Sequence, residues 1–333
     1  MHNMLTSALE LALWLTLGTS VLLILVYLVA RARGAHILLG SSFGLAIIFD
    51  AEDADKRPIR LLNIGNKFQS VCYTEPAHRQ DLACMYHQYM AQVLEMLDEA
   101  NDQVDAPSCT GTKGVGVACA LAHKALVIGG GGFSLPKWMW THLDHTATTV
   151  VEIDPFVIRW ARRYFFVNDV LKTLDQAGKA AYAEIVCADG AAYVRKIATA
   201  CEEFREDAVK AIESAGVRAQ AIENKAATTP SSSFDCIIND AFGGARPLIT
   251  LAQKEGARII YQALSEHGVY MANLIYPLAD KDTGEFGHVC ALMKETFPYV
   301  WLIPEAEESP QLTANNVLVA AKRPLPLAAR YRI

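Results

Sequence analysis

The sequence predicts an α/β fold: a doubly wound, mostly parallel sheet preceded by a small N-terminal antiparallel β domain and one N-terminal transmembrane helix. Three observations carry that prediction. Short apolar runs alternate with helical stretches from Ala125 onward, four consecutive glycines follow the first of these runs, and acidic residues stand at the ends of later ones, at Glu152, Asp189 and Asp240. Alternation of strand and helix builds a parallel sheet. Acids at strand carboxyl ends converge on the crevice where open sheets of this kind bind ligands.

The first element is the helix. From Leu11 to Ala30 the chain carries no charge, about the length needed to cross the hydrocarbon core of a bilayer. A cleavable signal would place positive charge before a shorter apolar run, whereas here Glu10 precedes the run and Arg31 and Arg33 follow it. The positive-inside bias then puts the N-terminus outside and the rest in the cytoplasm. The competing reading is a core helix of a soluble domain. With residues 1–34 as anchor, residues 35–80 form the small β domain, because His36 to Asp50 and Ile59 to Thr74 alternate apolar and polar residues around the turn-forming Gly65-Asn66. It is read as a lid. Residues 81–117 are a helix and linker: Leu82 to Asn101 has helical periodicity, and Asp102 to Gly116 is broken by Pro107, Gly111, Gly114 and Gly116.

The large domain, 118–333, carries strand candidates at Ala125–Ile128, Thr149–Ile153, Glu184–Ala188, Phe234–Asn239, Gly268–Leu274 and Val317–Ala321. Residues 201–233 are longer than a normal connection and end in the breaker cluster Thr228 to Ser233, which reads as a solvated surface insertion.

Composition narrows the function. A chain of 333 residues with 52% hydrophobic content has ample core material. A net charge of -6 with no long basic run argues against a nucleic-acid partner and mildly favours small cationic substrates. The eight cysteines form no CxxC pair and several lie in apolar runs, as reduced, buried thiols of a cytosolic protein would. No metal site is expected, since His142 and His145 have no ligand-grade partners nearby in sequence.

The chemistry concentrates in a Rossmann-type unit. After the strand Ala125–Ile128, Gly129 to Gly132 let the backbone turn and approach a ligand without Cβ interference. Glu152, roughly 20 residues on, ends the next strand, where an acid accepts hydrogen bonds from ribose hydroxyls. Asp189-Gly190 follows a third strand, where the aspartate accepts from an adenine amino group, and Asp240 ends FDCIIND. Any one of these acids alone is more often a helix cap; three in order argue for one site. Gly129, Gly131 and Ser134 loosely imitate the dinucleotide fingerprint GxGxxG, so an NAD-dependent dehydrogenase is an alternative, to which ADG after a later strand and the N-terminal sheet are a poorer fit.

Taken in the order LLNIGNKFQS, MYHQYM, VIGGGGFSLPKWM, VVEIDP, ADGAAYV, FDCIINDAF and GVYMANL, these motifs give a chain that resembles the spermidine synthase family from about His36 to Lys322, apart from the insertion. These are polyamine aminopropyltransferases with a class I methyltransferase-like domain; the membrane-attached bacterial spermidine synthase-like branch is the nearer likeness. The resemblance implies that Gly129, Gly130, Gly131 and Gly132 line the sulfonium end of decarboxylated S-adenosylmethionine, that Glu152 holds its ribose and Asp189 with Gly190 its adenine. It implies Asp240 as the base, and Gln69 and Tyr86 on the side of a putrescine-like amine; without it, those two read as a strand-surface amide and a core tyrosine. A small amine substrate, no metal and no nucleic acid go with this reading, and a homodimer is compatible with it.

An amine is a nucleophile only when deprotonated, and alkyl ammonium groups have a pKa near ~10, so a carboxylate is needed beside it. The chain departs from the family at three places. The family's glycine loop reads GGGDGG, with an aspartate for the aminopropyl ammonium, where this chain has Gly132 and then Phe133; the second aspartate of DSSDP is absent after Asp240; and Ile64 replaces the aspartate of the DG turn. Two alternatives therefore stand beside aminopropyl transfer: methyl transfer from S-adenosylmethionine, and a non-catalytic nucleotide-binding module at the membrane. An acid restored at position 132 is expected to favour the decarboxylated donor if Phe133 leaves it room, and Glu152→Ala is expected to weaken donor binding with the fold largely intact.

Overall fold

The structure is a computed structural model that describes residues 2–99, 123–214, 233–243, 246–247 and 253–333. Helix α1 (His2–Ala32) is followed after three residues by a four-stranded antiparallel sheet in the order β1 (His36–Leu38), β2 (Ala46–Glu52), β3 (Pro58–Ile64) and β4 (Lys67–Tyr73). The span Ala12–Ala32 is long and apolar enough to cross a membrane, and none of its apolar stretch is buried inside the rest of the molecule; at its end the Arg31 guanidinium meets the His36 ring of β1. Gly65 and Asn66 both take left-handed backbone (φ 58° and 64°) and Ile64 pairs with Lys67, which makes a two-residue hairpin of the type favoured by strand twist.

The small sheet is not free-standing. Its inner face, Ala46, Ile48, Leu62, Ile64 and Cys72, is buried against Val157, Trp160 and Phe165, from helix α4 (Pro155–Tyr164) and the residue after it. Arg60 on β3 makes a two-pronged bond to Asp50, Nε–Oδ1 2.6 Å and Nη2–Oδ2 2.8 Å, and donates through Nη1 to the Tyr164 carbonyl oxygen at 2.8 Å. This fork fixes the sheet over the end of α4 and sets the wall of the cleft described below.

Helix α2 (Met85–Glu99) leads towards the main sheet, whose described strands are β5 (His123–Ile128), β6 (Thr146–Glu152), β7 (Ala183–Cys187), β8 (Phe234–Asn239), β11 (Leu264–Pro277), β12 (Tyr299–Pro304) and β13 (Thr313–Ala321). Two further two-residue strands, β9 (Phe242–Gly243) and β10 (Arg246–Pro247), pair only with each other. The main order is β12-β13-β11-β8-β5-β6-β7; β5 to β8 and β11 run parallel, and β13 is antiparallel to both neighbours. Helices α2, α3 (Ser134–His142) and α5 (Val167–Gln176) cover one face, and α6 (Gly190–Ser214), α7 (Lys254–Ala263) and α8 (Gly284–Thr296) the other. The chain winds outwards from β5 through β6 to β7 and returns on the other side of β5 as β8, so the two halves diverge at β5/β8, the switch point where such sheets bind ligands.

Three details depart from the sequence reading. β12, an unbroken apolar run YVWLIP, is a strand that the reading passed over. β11 starts four residues earlier and ends three later than Gly268–Leu274. The stretch read as an insertion from residue 201 begins as the continuation of α6, with Ala198 and Cys201 buried, while residues 215–232 lie outside the described residues. The linker from residue 100 and the domain start at Ala118 also lie outside them. Among the described cysteines, Cys72, Cys201, Cys236 and Cys290 are buried thiols, Cys84 is half-buried and Cys187 is exposed.

Candidate active site

A cleft of about 760 Å³ opens between the small sheet and the carboxyl ends of β5, β6 and β8. Its floor is the glycine loop. Gly129 (φ 92°) lets the Asp240 backbone approach so closely that a Cβ at 129 would lie 2.6 Å from the Asp240 carbonyl oxygen, and Gly131 (φ 50°) faces the backbone of Gln69. The loop closes by a bond from Phe133 N–H to the Gly130 carbonyl oxygen (2.7 Å), with the Phe133 ring fully buried, and α3 begins at the next residue. Gly129, Gly130 and Gly131 line the cleft, as does Gly190, whose Cβ would collide with Ile128 at 2.2 Å.

Gly132 stands apart from the expectation. It does not line the cleft; a Cβ there would meet Ser70 Oγ at 2.7 Å and the Phe165 ring at 2.9 Å. The obstacle is Ser70 and Phe165, not Phe133. We therefore expect Gly132→Asp to destabilise the fold by roughly 1–3 kcal/mol, the usual cost of overpacking, without improving binding of the decarboxylated donor. Thermal unfolding and calorimetric titration check both halves. A stable variant with tighter binding would show that Ser70 yields readily.

Glu152, 8% exposed, faces the same loop. Its Oε2 accepts from the backbone N–H of Gly130 (2.8 Å) and Gly131 (3.3 Å), and its Oε1 from that of Asp154 (2.9 Å). Asp189 is an exposed cap: its Oδ1 accepts from Ala192 N–H (2.8 Å) in the first turn of α6, while the residue also borders the cleft. The structure thus brings Gly129, Gly130, Gly131, Glu152, Asp189, Gly190, Asp240, Gln69 and Tyr86 to one cavity.

Asp240 is the centre of a polar network. Its Oδ2 accepts from the Tyr86 hydroxyl (3.2 Å) and from His87 Nε2 (3.0 Å), and its Oδ1 from the Asn273 amide (3.3 Å). Asn273 in turn donates to Asn315 Oδ1 (3.2 Å), whose own amide donates to Glu305 (2.6 Å). Burial and the neighbouring Asp240 charge raise the Tyr86 hydroxyl well above its ordinary value, so it remains a donor. His87 is the residue that sequence reasoning missed. It lies inside MYHQYM beside Tyr86, and the signal available was a histidine on an otherwise apolar helix face.

Burial alone would push His87 down, but the bond to Asp240 and that carboxylate's charge, with the Cys84 thiol nearby, outweigh burial and raise it to about 9. Its Nδ1 is buried with no partner at hydrogen-bond geometry. A histidine raised in the folded state stabilises the fold fully below its unfolded pKa, near 6.5, and loses that contribution as the pH climbs to about 9. The term is on the order of 3 kcal/mol. We expect the unfolding free energy of the native protein, measured relative to His87→Gln, to fall between pH 6.5 and 9; a flat difference would mean a neutral His87.

Comparison with known proteins agrees with this architecture. No protein-family model matches the chain, and no curated protein matches it in sequence. Solved structures do. A probable spermidine synthase from Corynebacterium glutamicum superposes with a TM-score of 0.59 at 16% identity, over 87% of this chain and 81% of that one. A spermidine synthase in complex with the transition state analogue AdoDATO gives 0.52 at 21% identity, over 88% and 74%. Spermidine synthase from Thermotoga maritima gives 0.49 at 21% identity, over 87% and 74%. The chain has the fold of an α/β domain with an N-terminal antiparallel sheet. Within that class its fold is the one shared by the two spermidine synthase structures on which it superposes with TM-scores of 0.59 and 0.52.

Proposed function

We propose that the cleft is the active site of a spermidine synthase-like transferase, which moves an aminopropyl group from decarboxylated S-adenosylmethionine to an amine. The observation that carries this reading is the convergence, in one cavity at the switch point, of the Glu152-anchored glycine loop with the Tyr86–Asp240–His87 cluster. The glycine loop presents backbone to the donor, and Glu152 and Asp189 border the nucleoside end. In the transfer the amine lone pair forms a C–N bond to the carbon beside the sulfonium, and the C–S electrons remain on sulfur as a neutral thioether. The proton shed by the amine passes to Asp240 and on to solvent. Because a sulfonium is already activated, alignment of the two reactants supplies most of the acceleration. The complex with AdoDATO described for a protein of the same fold supports a donor of this class.

A second reading, methyl transfer from S-adenosylmethionine, is favoured by Gly132, where no acid is present and none has room to receive a cationic aminopropyl tail. Calorimetric titration with S-adenosylmethionine, its decarboxylated form, methylthioadenosine, S-adenosylhomocysteine and NAD separates the two. Tighter binding of the decarboxylated form supports aminopropyl transfer, tighter binding of S-adenosylmethionine supports methyl transfer, and preference for NAD sinks both.

The apolar span of α1 and the flanking Arg31 and Arg33 support a single membrane crossing with the catalytic domain cytoplasmic. Protease added outside sealed cells is then expected to leave the large domain intact; its digestion would reverse the topology.

A further inference from the structure

The charge inventory of the cleft bears on the acceptor. Among the described residues that line it, the acids are Glu152, Asp189 and Asp240. Glu152 is occupied by three backbone N–H groups and Asp189 by the cap of α6. Asp240 is bonded by Tyr86, His87 and Asn273 and is the carboxylate of the lining that faces this polar cluster. Glu305 stands behind Asn315, with one oxygen taken by that residue's amide and backbone N–H.

Apolar side chains line the cavity as well, beside the polar Asn66, Gln69 and Ser70. Leu61 and Phe68 of the small sheet, Phe43 of the loop before β2 and Ile275 at the end of β11 line the same cavity. Phe68 is 69% and Phe43 48% exposed, so both rings are accessible to a ligand in the cavity. Lys67 is the charged group beside them.

A linear diamine would thread one ammonium to Asp240 and leave the other against these apolar side chains or near Lys67, desolvated and without a counter-charge among the described residues, which is strongly unfavourable. A monoamine meets one carboxylate with its nitrogen, and each methylene laid on the wall gains about fourfold in affinity.

We infer that the acceptor is a primary monoamine with an apolar tail, its nitrogen at Asp240 and its tail along the wall formed by Phe43, Leu61, Phe68 and Ile275. This rests on the reading of the cleft as an alkyltransferase site, and names the acceptor class that the site takes. The nitrogen loses a proton and gains a C–N bond as described above; the tail takes no part in the chemistry.

The test uses the full-length protein in lipid nanodiscs, saturated with methylthioadenosine, and two amines of equal length, n-hexylamine and 1,5-diaminopentane, which differ only by a terminal methyl in place of an ammonium. Calorimetry is expected to give at least tenfold tighter binding of hexylamine, with affinity rising from butylamine to hexylamine. Equal or tighter binding of the diamine, or binding of neither amine, overturns the inference. Gln69→Glu adds a carboxylate to the wall from β4 and is expected to strengthen diamine binding at least tenfold while weakening that of hexylamine; no gain for the diamine overturns the charge argument. Donor binding and thioether release are read separately. Hexylamine selectivity without donor binding keeps the acceptor class and removes the transfer reading, whereas donor turnover with diamine preference does the reverse.

Discussion

Asp240→Asn is expected to lower turnover by roughly 10²-fold or more while donor affinity stays within about twofold. The substitution preserves size and leaves the network close to satisfied. The amide oxygen still accepts from Tyr86 and His87, and the new amide N–H₂ finds an acceptor when the Asn273 amide rotates to present its unpartnered Oδ1, at the cost of the bond from Asn273 to Asn315. What is lost is charge. The carboxylate that takes the amine proton is gone, and with it the group that holds His87 up to about 9. Burial then dominates, and the His87 pKa should fall below its ordinary value. Two readouts follow: single-turnover rates for the chemistry and NMR titration of the imidazole for the charge network. A variant that turns over at the native rate moves the proton acceptor elsewhere; an imidazole still titrating near 9 would mean that Asp240 is not what raises it.

Much of this site could be read from the sequence because its parts sit at strand ends. Asp240 closes FDCIIND, Glu152 closes a run of β-branched residues, and the glycines follow ALVI; each position is fixed by a local pattern that periodicity exposes. The Gly65-Asn66 turn was legible for the same reason. Residues whose role depends on distant packing were not. His87 acquires its meaning from a partner 153 positions away, through the rotation of α2. Gly132 belongs to a glycine run that reads as uniform, yet one turn later the loop presses it on Ser70 and Phe165 from two other elements. The charged stretch EEFRED looks solvated, and its side chains are indeed exposed, but the buried Cys201 just before it sits on the face that packs on the sheet, and a helix of period 3.6 hides such a face among charges. The run YVWLIP is apolar throughout, so it shows no alternation to separate strand from buried helix.

Glu152→Ala is expected to cost both stability and donor binding, not donor binding alone. The side chain is buried and its two oxygens satisfy three backbone N–H groups, from Gly130, Gly131 and Asp154. Truncation leaves those donors unpaired in a loop whose glycines have no side chains to replace the lost contacts. A buried donor left without a partner costs about 1–3 kcal/mol, reduced where water from the cleft can reach it. For three such groups on one open wall we expect a loss of roughly 2–5 kcal/mol, enough to lower Tm by about 5 °C or more. Methylthioadenosine affinity should fall at least tenfold, since the loop would no longer be held in the shape that receives the nucleoside. Glu152→Gln separates the two effects. Its single carbonyl oxygen can serve Gly130 and Gly131 while its N–H₂ opposes the Asp154 N–H, so stability should fall less than in the alanine variant and ligand affinity by an intermediate amount. Thermal unfolding with and without methylthioadenosine measures both quantities on the same samples. An alanine variant with native Tm and native affinity would show that the loop holds its shape through its own backbone, and Glu152 would leave the site.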